Sequence, residues 1–247
     1  MSSNSETGHA KNVANFAQLV IKCTSYDGSF NPSNPTIQLS ALQNTLSLAK
    51  DSIASVNGAE GVLSTAIAAR SLLFKPFSKQ ITRISNAAKV SGAPQQAVDQ
   101  VTNLIRKLQG SRATPKKTDE EKQAAIDAGK QIVEISSSQT SFDSLLNNFD
   151  KLIKLLVTVP EYAPNESELT ITALSAYYED LLAKNQVVIN AEAGLNNLRI
   201  TRNILLYKEI TGLTDVANAV KLYIKSVFGA TSPQYRQVSS LKFTNPR

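Results

Sequence analysis

The 247-residue sequence has little of the chemistry on which many enzymes and most metal sites depend, because it contains no tryptophan, one cysteine and one histidine. Cys23 and His9 alone cannot form a disulfide framework, a zinc site or an iron–sulfur centre. Since His9 lies in a polar N-terminal stretch, a catalytic triad of the Ser–His–Asp or Cys–His kind is not expected either. We therefore predict no catalytic residues, no metal ligands and no cofactor, and a protein that is not an enzyme.

Targeting signals and long hydrophobic runs are also missing. The first twenty residues show no basic segment followed by an apolar core, so no secretory signal is expected. The longest apolar-rich run, 152–159, is far shorter than the ~20 residues of a membrane helix. Gly58 and Gly61 lack the spacing of a phosphate-binding loop and fall inside a helical pattern. The sequence therefore predicts a soluble, cytoplasmic protein.

The composition is that of an ordinary globular chain, with 42% hydrophobic and 19% charged residues, but its net charge of +6 is unevenly distributed. Residues 70–117 carry ten basic side chains and one acidic one, and residues 216–247 carry five basic and no acidic ones. Such stretches can bind the phosphates of nucleic acid or an acidic membrane surface, or they can be solvated helix faces. The candidate anion-binding residues are Arg70, Arg202, Lys221, Lys225, Arg236 and Lys242.

Apolar residues recur at helical spacing along most of the chain, and strict apolar–polar alternation between hairpin turns is missing. The fold class predicted is all-α. Thr36 is expected to cap the first of two long helices. The predicted helices span 11–25, 36–74, 77–90, 95–108, 118–135, 142–159, 168–208 and 213–228.

The most informative pattern is an internal duplication, in which similar segments recur in the same order at a nearly constant spacing of about half the chain. Asn15-Phe16 corresponds to Asn148-Phe149, and Val90-Ser91-Gly92-Ala93 corresponds to Val227-Phe228-Gly229-Ala230. Arg70 and Arg202 fall at matching places near the ends of the long helices, where the pair could hold an anion or instead cap carbonyls and bridge to local acids. The pattern predicts an elongated, coiled-coil-like bundle of two tandem helix–loop–long helix–helix copies.

These copies set the predicted domain boundaries. Residues 1–10 are expected to be a disordered tail, and residues 110–141 a linker with a bridging helix. The first copy spans 11–109, and the second spans 142–247 and includes the basic C-terminal tail. We expect the two copies to pack together as one domain and to bury Phe16 and Phe149 at equivalent positions.

Two stretches resemble a known group. Residues 223–238, Tyr-Ile-Lys-Ser-Val-Phe-Gly-Ala-Thr-Ser-Pro-Gln-Tyr-Arg-Gln-Val, are similar to the C-terminal part of uncharacterised helical proteins from Bacteroidetes-type bacteria. Residues 148–152, Asn-Phe-Asp-Lys-Leu, resemble another stretch of the same group. The resemblance implies a helical fold over most of the chain and implies no activity or functional residue.

The residues favour a non-enzymatic helical scaffold, self-assembly unit or protein-interaction module, with a second copy or another protein as the partner. The alternative is an anion-binding protein, for nucleic acid or an acidic membrane surface, that uses residues 70–117 and 216–247. A membrane-active bundle, or an enzyme that uses only Asp, Glu, Lys, Tyr and Ser, remains a further hypothesis without a supporting motif.

Overall fold

A computed structural model of the chain describes residues 8–111, 118–128 and 140–245. Throughout these residues the chain forms helices joined by loops, and it forms no β-strand. The helices bury apolar faces against one another. The predicted all-α bundle is therefore confirmed.

The helices follow the sequence periodicity closely. Two long helices dominate, and each is preceded by a short 3₁₀ helix, Pro35–Ile37 or Ser167–Leu169. In chain order the α-helices are α1 His9–Ser25, α2 Leu39–Phe74, α3 Phe77–Val90, α4 Gln95–Leu108, α5 Asp119–Asp127, α6 Phe142–Val157, α7 Ile171–Tyr207, α8 Leu213–Phe228 and α9 Pro233–Ser239.

Some predicted boundaries differ from the structure. Thr36 does not cap the first long helix, because it lies inside a 3₁₀ turn whose cap is Asn34: the Asn34 Oδ1 accepts from the Thr36 amide at 3.0 Å. Helix α1 already begins at His9, within the predicted tail, whereas residues 1–7 lie outside the described residues. Of the predicted linker and bridging helix, residues 112–117 and 129–139 also lie outside the described residues.

One compact unit, unit 1, comprises residues 1–64 and 190–247. Its core joins α1, the 3₁₀ turn at 35–37, the first part of α2, the end of α7, α8 and α9. Phe16 and Leu19 on α1 and Val220 on α8 have no measurable exposure. Residues of this core come from both ends of the chain, so the contacts that close unit 1 are long-range in sequence.

The other compact unit, unit 2, comprises residues 65–189. Its core joins the end of α2, α3, α4, α6, the 3₁₀ turn at 167–169 and the first part of α7. Phe149 on α6 is fully buried, and the ring of Phe77 on α3 meets it edge-on at 5.2 Å between centroids. Such aromatic pairs add specific geometry to the burial of apolar area.

The two compact units cut across the two predicted copies. Unit 1 takes α1 and the first part of α2 from the first copy, together with the end of α7, α8 and α9 from the second. Unit 2 takes the complementary parts, with α6 and the first part of α7 joined to the end of α2, α3 and α4. Each unit thus contains the front of one copy and the back of the other.

Burial at matched positions supports the duplication. Six pairs at one constant offset on α1 and α6 are buried in both helices: Val13 and Leu146, Asn15 and Asn148, Phe16 and Phe149, Leu19 and Leu152, Val20 and Ile153, and Cys23 and Leu156. Four pairs at a second, slightly larger offset on α3 and α8 are also buried: Phe77 and Leu213, Ile81 and Ala217, Ile84 and Val220, and Ala88 and Ile224. The tandem duplication itself stays a prediction.

Candidate functional site

Two of the predicted anion-binding residues, Lys221 and Lys225, stand one turn apart on α8 in unit 1. The Lys221 ammonium donates to the backbone oxygen of Leu241 and lies 5.3 Å from the ring centre of Phe243. The Lys225 ammonium lies 5.7 Å from the ring centre of Tyr235 on α9. Burial lowers the pKa of Lys221. Both lysines therefore hold the C-terminal segment against α8 by hydrogen-bonding and cation–π contacts.

Two others, Arg236 on α9 and Lys242 beyond it, have exposed side chains. The backbone oxygen of Lys242 accepts from the Asn15 Nδ2 at 2.7 Å, so the chain around it is anchored while its ammonium stays in solvent. Within residues 233–245, these two side chains are free to approach an external anion.

The remaining two candidates, Arg70 and Arg202, occupy corresponding places on the long helices. Leu42, Ala49 and Val56 of α2 are buried at heptad intervals, as in a coiled coil, and Arg70 continues that series. Leu174, Leu181, Val188 and Leu195 do the same on α7, and Arg202 continues theirs. Arg70 belongs to unit 2, whereas the other five candidates belong to unit 1.

Arg202 lies at a corner of unit 1 that contains the only histidine of the sequence. Its guanidinium donates to the Asn203 Oδ1 at 2.9 and 3.2 Å. The His9 Nδ1 is 2.7 Å from the Tyr207 hydroxyl, which also accepts from the Asn12 Nδ2 at 3.2 Å. Burial, and next to it the positive charge of Arg202, lower the pKa of His9. The corner thus favours a neutral imidazole.

Arg70 is integrated into the packing of unit 2. Its Nη1 donates to the Asn185 Oδ1 at 2.8 Å, and the Asn185 Nδ2 donates to the Asp143 Oδ1 at 2.7 Å. The guanidinium carbon lies 3.9 Å from the ring centre of Phe142. Its Nε is buried without a hydrogen-bond partner in the structure. These contacts join α2, α6 and α7 within unit 2.

None of the six predicted residues forms an ion pair with a carboxylate in the part of the chain that the structure describes. Arg70 and Arg202 bond to asparagine amides, which differs from both expected roles, the bridge to a local acid and the capping of a carbonyl. Their positive charges remain uncompensated. Whether they bind an anion stays a prediction.

The structure also contains a feature that the sequence analysis missed, an open cleft in unit 2. Its volume is about 590 Å³, within the range of small-molecule sites. One wall is the outer face of α3, and the other is the loop between α6 and the 3₁₀ turn at 167–169. Its lining residues are Arg83, Asn86, Ala87, Val90, Ser91, Glu161, Tyr162, Ala163, Pro164, Asn165, Glu166 and Leu169.

The cleft coincides with a difference in side-chain size between the two units. In unit 1, the Tyr223 ring of α8 meets the Phe30 ring edge-on, with centroids 5.4 Å apart. At the spacings of the duplication, Phe30 corresponds to Tyr162 and Tyr223 corresponds to Ala87. Ala87 is too small to cover Tyr162 in the same way, so space remains between helix and loop. The only sequence signal was the single substitution of alanine for tyrosine at a matched position.

The electrostatics of the cleft are set by one paired cation and two unpaired acids. The Arg83 Nη2 lies 3.3 Å from the Glu168 Oε2, and this contact lowers the pKa of Glu168. The Gln80 Nε2 donates to the Glu168 backbone oxygen at 2.8 Å and anchors the same turn. Glu161 and Glu166 are exposed, and no hydrogen bond or ion pair of their side chains is found within the described residues.

We also looked in the described residues for a reactive thiol, a metal site and a membrane-spanning helix. Cys23 is buried on α1, and burial raises the pKa of its thiol to about 12, so it remains a protonated packing residue at neutral pH. In ranges 8–111, 118–128 and 140–245, no group of three histidine, cysteine or acidic side chains could hold a metal ion. Over the same ranges, no helix combines the length and apolarity needed to cross a membrane.

The resemblance to uncharacterised helical proteins from Bacteroidetes-type bacteria stays a prediction. No protein family, curated protein or solved structure matches the chain.

Proposed function

We propose that the protein is a non-enzymatic helical interaction module, located in the cytoplasm, whose partner is a second copy of the same chain. The observation that carries this proposal is Ile210, a β-branched residue that is 84% exposed and has a φ of 68°. For such a residue the left-handed region costs about 1–3 kcal/mol. A side chain displayed to solvent at that cost has its use outside the monomer.

The turn that carries Ile210 is held from both sides. The Ile210 amide donates to the Asp215 Oδ2 at 2.8 Å, and the Gly212 amide donates to the Lys208 backbone oxygen at 2.7 Å. A side chain on Gly212 would come within 2.6 Å of the Lys208 backbone. The turn alone would therefore be satisfied by glycine or asparagine at position 210, and isoleucine adds only an exposed apolar group.

Further apolar side chains are exposed on the preceding helix. Ile200 and Ile204 are one turn apart on α7 and are 57% and 55% exposed. Two copies can place such a patch on itself about a twofold axis, the commonest symmetry of homo-oligomers. Because every copy carries a net charge of +6, charge repulsion opposes the contact and apolar burial favours it. Salt should therefore strengthen the association.

The test is light scattering after size exclusion, over a series of protein concentrations at low and high salt. A dimer that increases with concentration and with salt is expected. Ile210→Gly should weaken that dimer. It should also raise the free energy of unfolding by about 0.5–2 kcal/mol, because relief of the backbone strain exceeds the entropy that glycine loses on folding. Ile21→Ala, at another exposed isoleucine of unit 1, is the matched control. A chain that stays monomeric throughout contradicts the proposal.

The second candidate function is anion binding, for nucleic acid or an acidic membrane surface, and it is favoured by the exposed cations Arg236 and Lys242. A single-stranded oligonucleotide in fluorescence anisotropy is the probe for nucleic acid. Arg236→Gln with Lys242→Gln tests the free cations without breaking the Lys221 and Lys225 contacts. Affinity should fall, and the salt slope should drop by about 1 for each lost phosphate contact.

The matched control for that pair is Lys22→Gln with Lys50→Gln, which removes the same charge from α1 and α2. Equal losses in both double variants would reveal a general charge effect. Salt separates the two functions, because it weakens phosphate binding and strengthens self-association of a cationic chain.

A further inference from the structure

We propose that the cleft between α3 and the loop 161–166 in unit 2 binds an aliphatic ammonium compound, with a free polyamine as its ligand. The proposal is independent of self-association, which rests on residues of unit 1, and of the anion-binding test at Arg236 and Lys242, which also belong to unit 1. It follows from three observations: space next to Ala87, where unit 1 has the larger Tyr223, apolar side chains on the α3 wall, and an excess of negative charge along the rim.

Residues that border the space in unit 2 differ from their matched residues in unit 1. Tyr223 packs against Phe30 in unit 1, whereas the smaller Ala87 lines the cleft beside the buried Tyr162. The Tyr162 hydroxyl donates to the Leu169 backbone oxygen at 3.0 Å, and this bond fixes the ring and the floor of the cleft without a ligand. The cavity is therefore preformed, which reduces the entropy cost of binding.

The wall formed by α3 is mixed: Arg83 and Asn86 line it with Ala87 and Val90, and the last two offer apolar area to an aliphatic chain. Val90 is 84% exposed at the end of α3, and Ala87 lies one turn before it. Pro164 lines the cleft from the opposite loop. Apolar area of this kind gains about 25 cal/mol per Å² when methylene groups remove it from water, so the body of the ligand is expected to be a chain of several methylenes.

The rim suits positive charge. Arg83, the one cation in the lining, already pairs with Glu168 at 3.3 Å. Glu161 and Glu166 have no such partner within the described residues, so the lining carries an uncompensated negative charge. An ammonium donates to carboxylates through three N–H groups and can meet either of them. A ligand that places methylene groups on the wall and ammonium groups at the rim is an aliphatic polyamine.

The experiment is a titration of the full-length protein by nuclear magnetic resonance, with spermidine and 1,5-diaminopentane as probes and pentanoate as the anionic control. We expect the diamine and spermidine to shift resonances of α3 and of the loop 161–166, and pentanoate to leave them unchanged. Glu161→Gln with Glu166→Gln should weaken binding about two- to tenfold, the scale of two exposed ion pairs. The control, Glu179→Gln with Asp180→Asn, removes equal charge from an exposed site on α7 and should bind as the wild type.

A second variant tests the space itself. Ala87→Tyr copies the residue of unit 1 and should abolish binding, while circular dichroism checks that the chain stays folded.

A lysine-rich peptide distinguishes the source of the ammonium. Peptide binding that requires Glu161 and Glu166, without diamine binding, assigns the site to a protein lysine and overturns the free polyamine. Absence of binding by every amine, or binding that the cleft variants leave unchanged, overturns the site altogether.

Discussion

His9 of unit 1 and Phe142 of unit 2 occupy matched positions at the first residues of α1 and α6, yet they form corners of different chemistry. In unit 2, Phe142 stacks against Arg70 and meets the Phe74 ring edge-on, with centroids 4.7 Å apart. In unit 1, His9 bonds to the Tyr207 hydroxyl beside Arg202. The same helix pattern thus supports a corner built on a cation–aromatic stack and another built on a titratable imidazole.

The residue next to the arginine also differs between the two corners. Asn185 of unit 2 links Arg70 to Asp143, whereas the matched position of the first copy is Ile53, which packs against the core of unit 1. Arg202 therefore has no counterpart of Asn185 and bonds to its neighbour Asn203. The two matched arginines therefore make different contacts, because the residues around them differ although their positions on the long helices correspond.

The largest effect on stability should come from the matched phenylalanines of the two units. Phe16→Ala and Phe149→Ala each remove a fully buried ring, so each should cost about 3–5 kcal/mol of unfolding free energy in urea denaturation. Losses of similar size would show that the two positions are equivalent in energy as well as burial. A loss below about 1 kcal/mol at Phe149 would mean that its stripe faces solvent or a partner.

A smaller effect should separate the two arginine corners. Asn185→Ala leaves the half-buried Arg70 guanidinium without its hydrogen-bond partner, and an unsatisfied buried polar group costs about 1–3 kcal/mol, whereas the exposed Asp143 carboxylate can turn to water. Asn203→Ala, which removes the exposed partner of Arg202, should change stability by less than about 0.5 kcal/mol. Equal losses in chemical denaturation would contradict the distinction between an integrated and a peripheral arginine.

The smallest effect should appear only with pH. Because the pKa of His9 is lowered in the folded chain, the folded state favours the neutral ring, and stability is lost as pH falls below the ordinary histidine value of 6.5. His9→Phe, the residue of the matched corner, should remove that part of the pH dependence between about pH 7 and pH 5. An unchanged slope in thermal unfolding across this range would assign the dependence to other groups.

The sequence predicted well what repeats along the chain. Apolar residues at helical spacing predicted two long helices at 36–74 and 168–208, and the structure has them at Leu39–Phe74 and Ile171–Tyr207. The pairing of Phe16 with Phe149 followed from their shared context, and both are buried. Local periodicity reports which face of a helix is apolar, so these features needed no tertiary information.

The cap of α2 and the candidate sites were harder to predict. Thr36 has the residue type of a helix cap, but the adjacent Pro35 favours a 3₁₀ turn capped by Asn34. Lys221 looked like a free surface cation, yet it bonds to the carbonyl of Leu241, beyond the end of its own helix. The cleft depended on one exchange, tyrosine for alanine, whose meaning appears only when helix and loop are packed together.

The amino-acid sequence by itself determined an all-α chain, the boundaries of most of its helices to within a few residues, its periodic core positions and its uneven charge, since these depend on local spacing and composition. It did not predict α9, which lies where a C-terminal tail was expected. Only the tertiary structure shows how those helices are distributed between the two compact units, because helices from distant parts of the chain pack against one another. It joined α1 with α8 and α6 with α4, so that each compact unit combines the front of one predicted copy with the back of the other. It also decided which charges are paired and where a cavity remains, since both depend on side chains that meet across long separations in sequence.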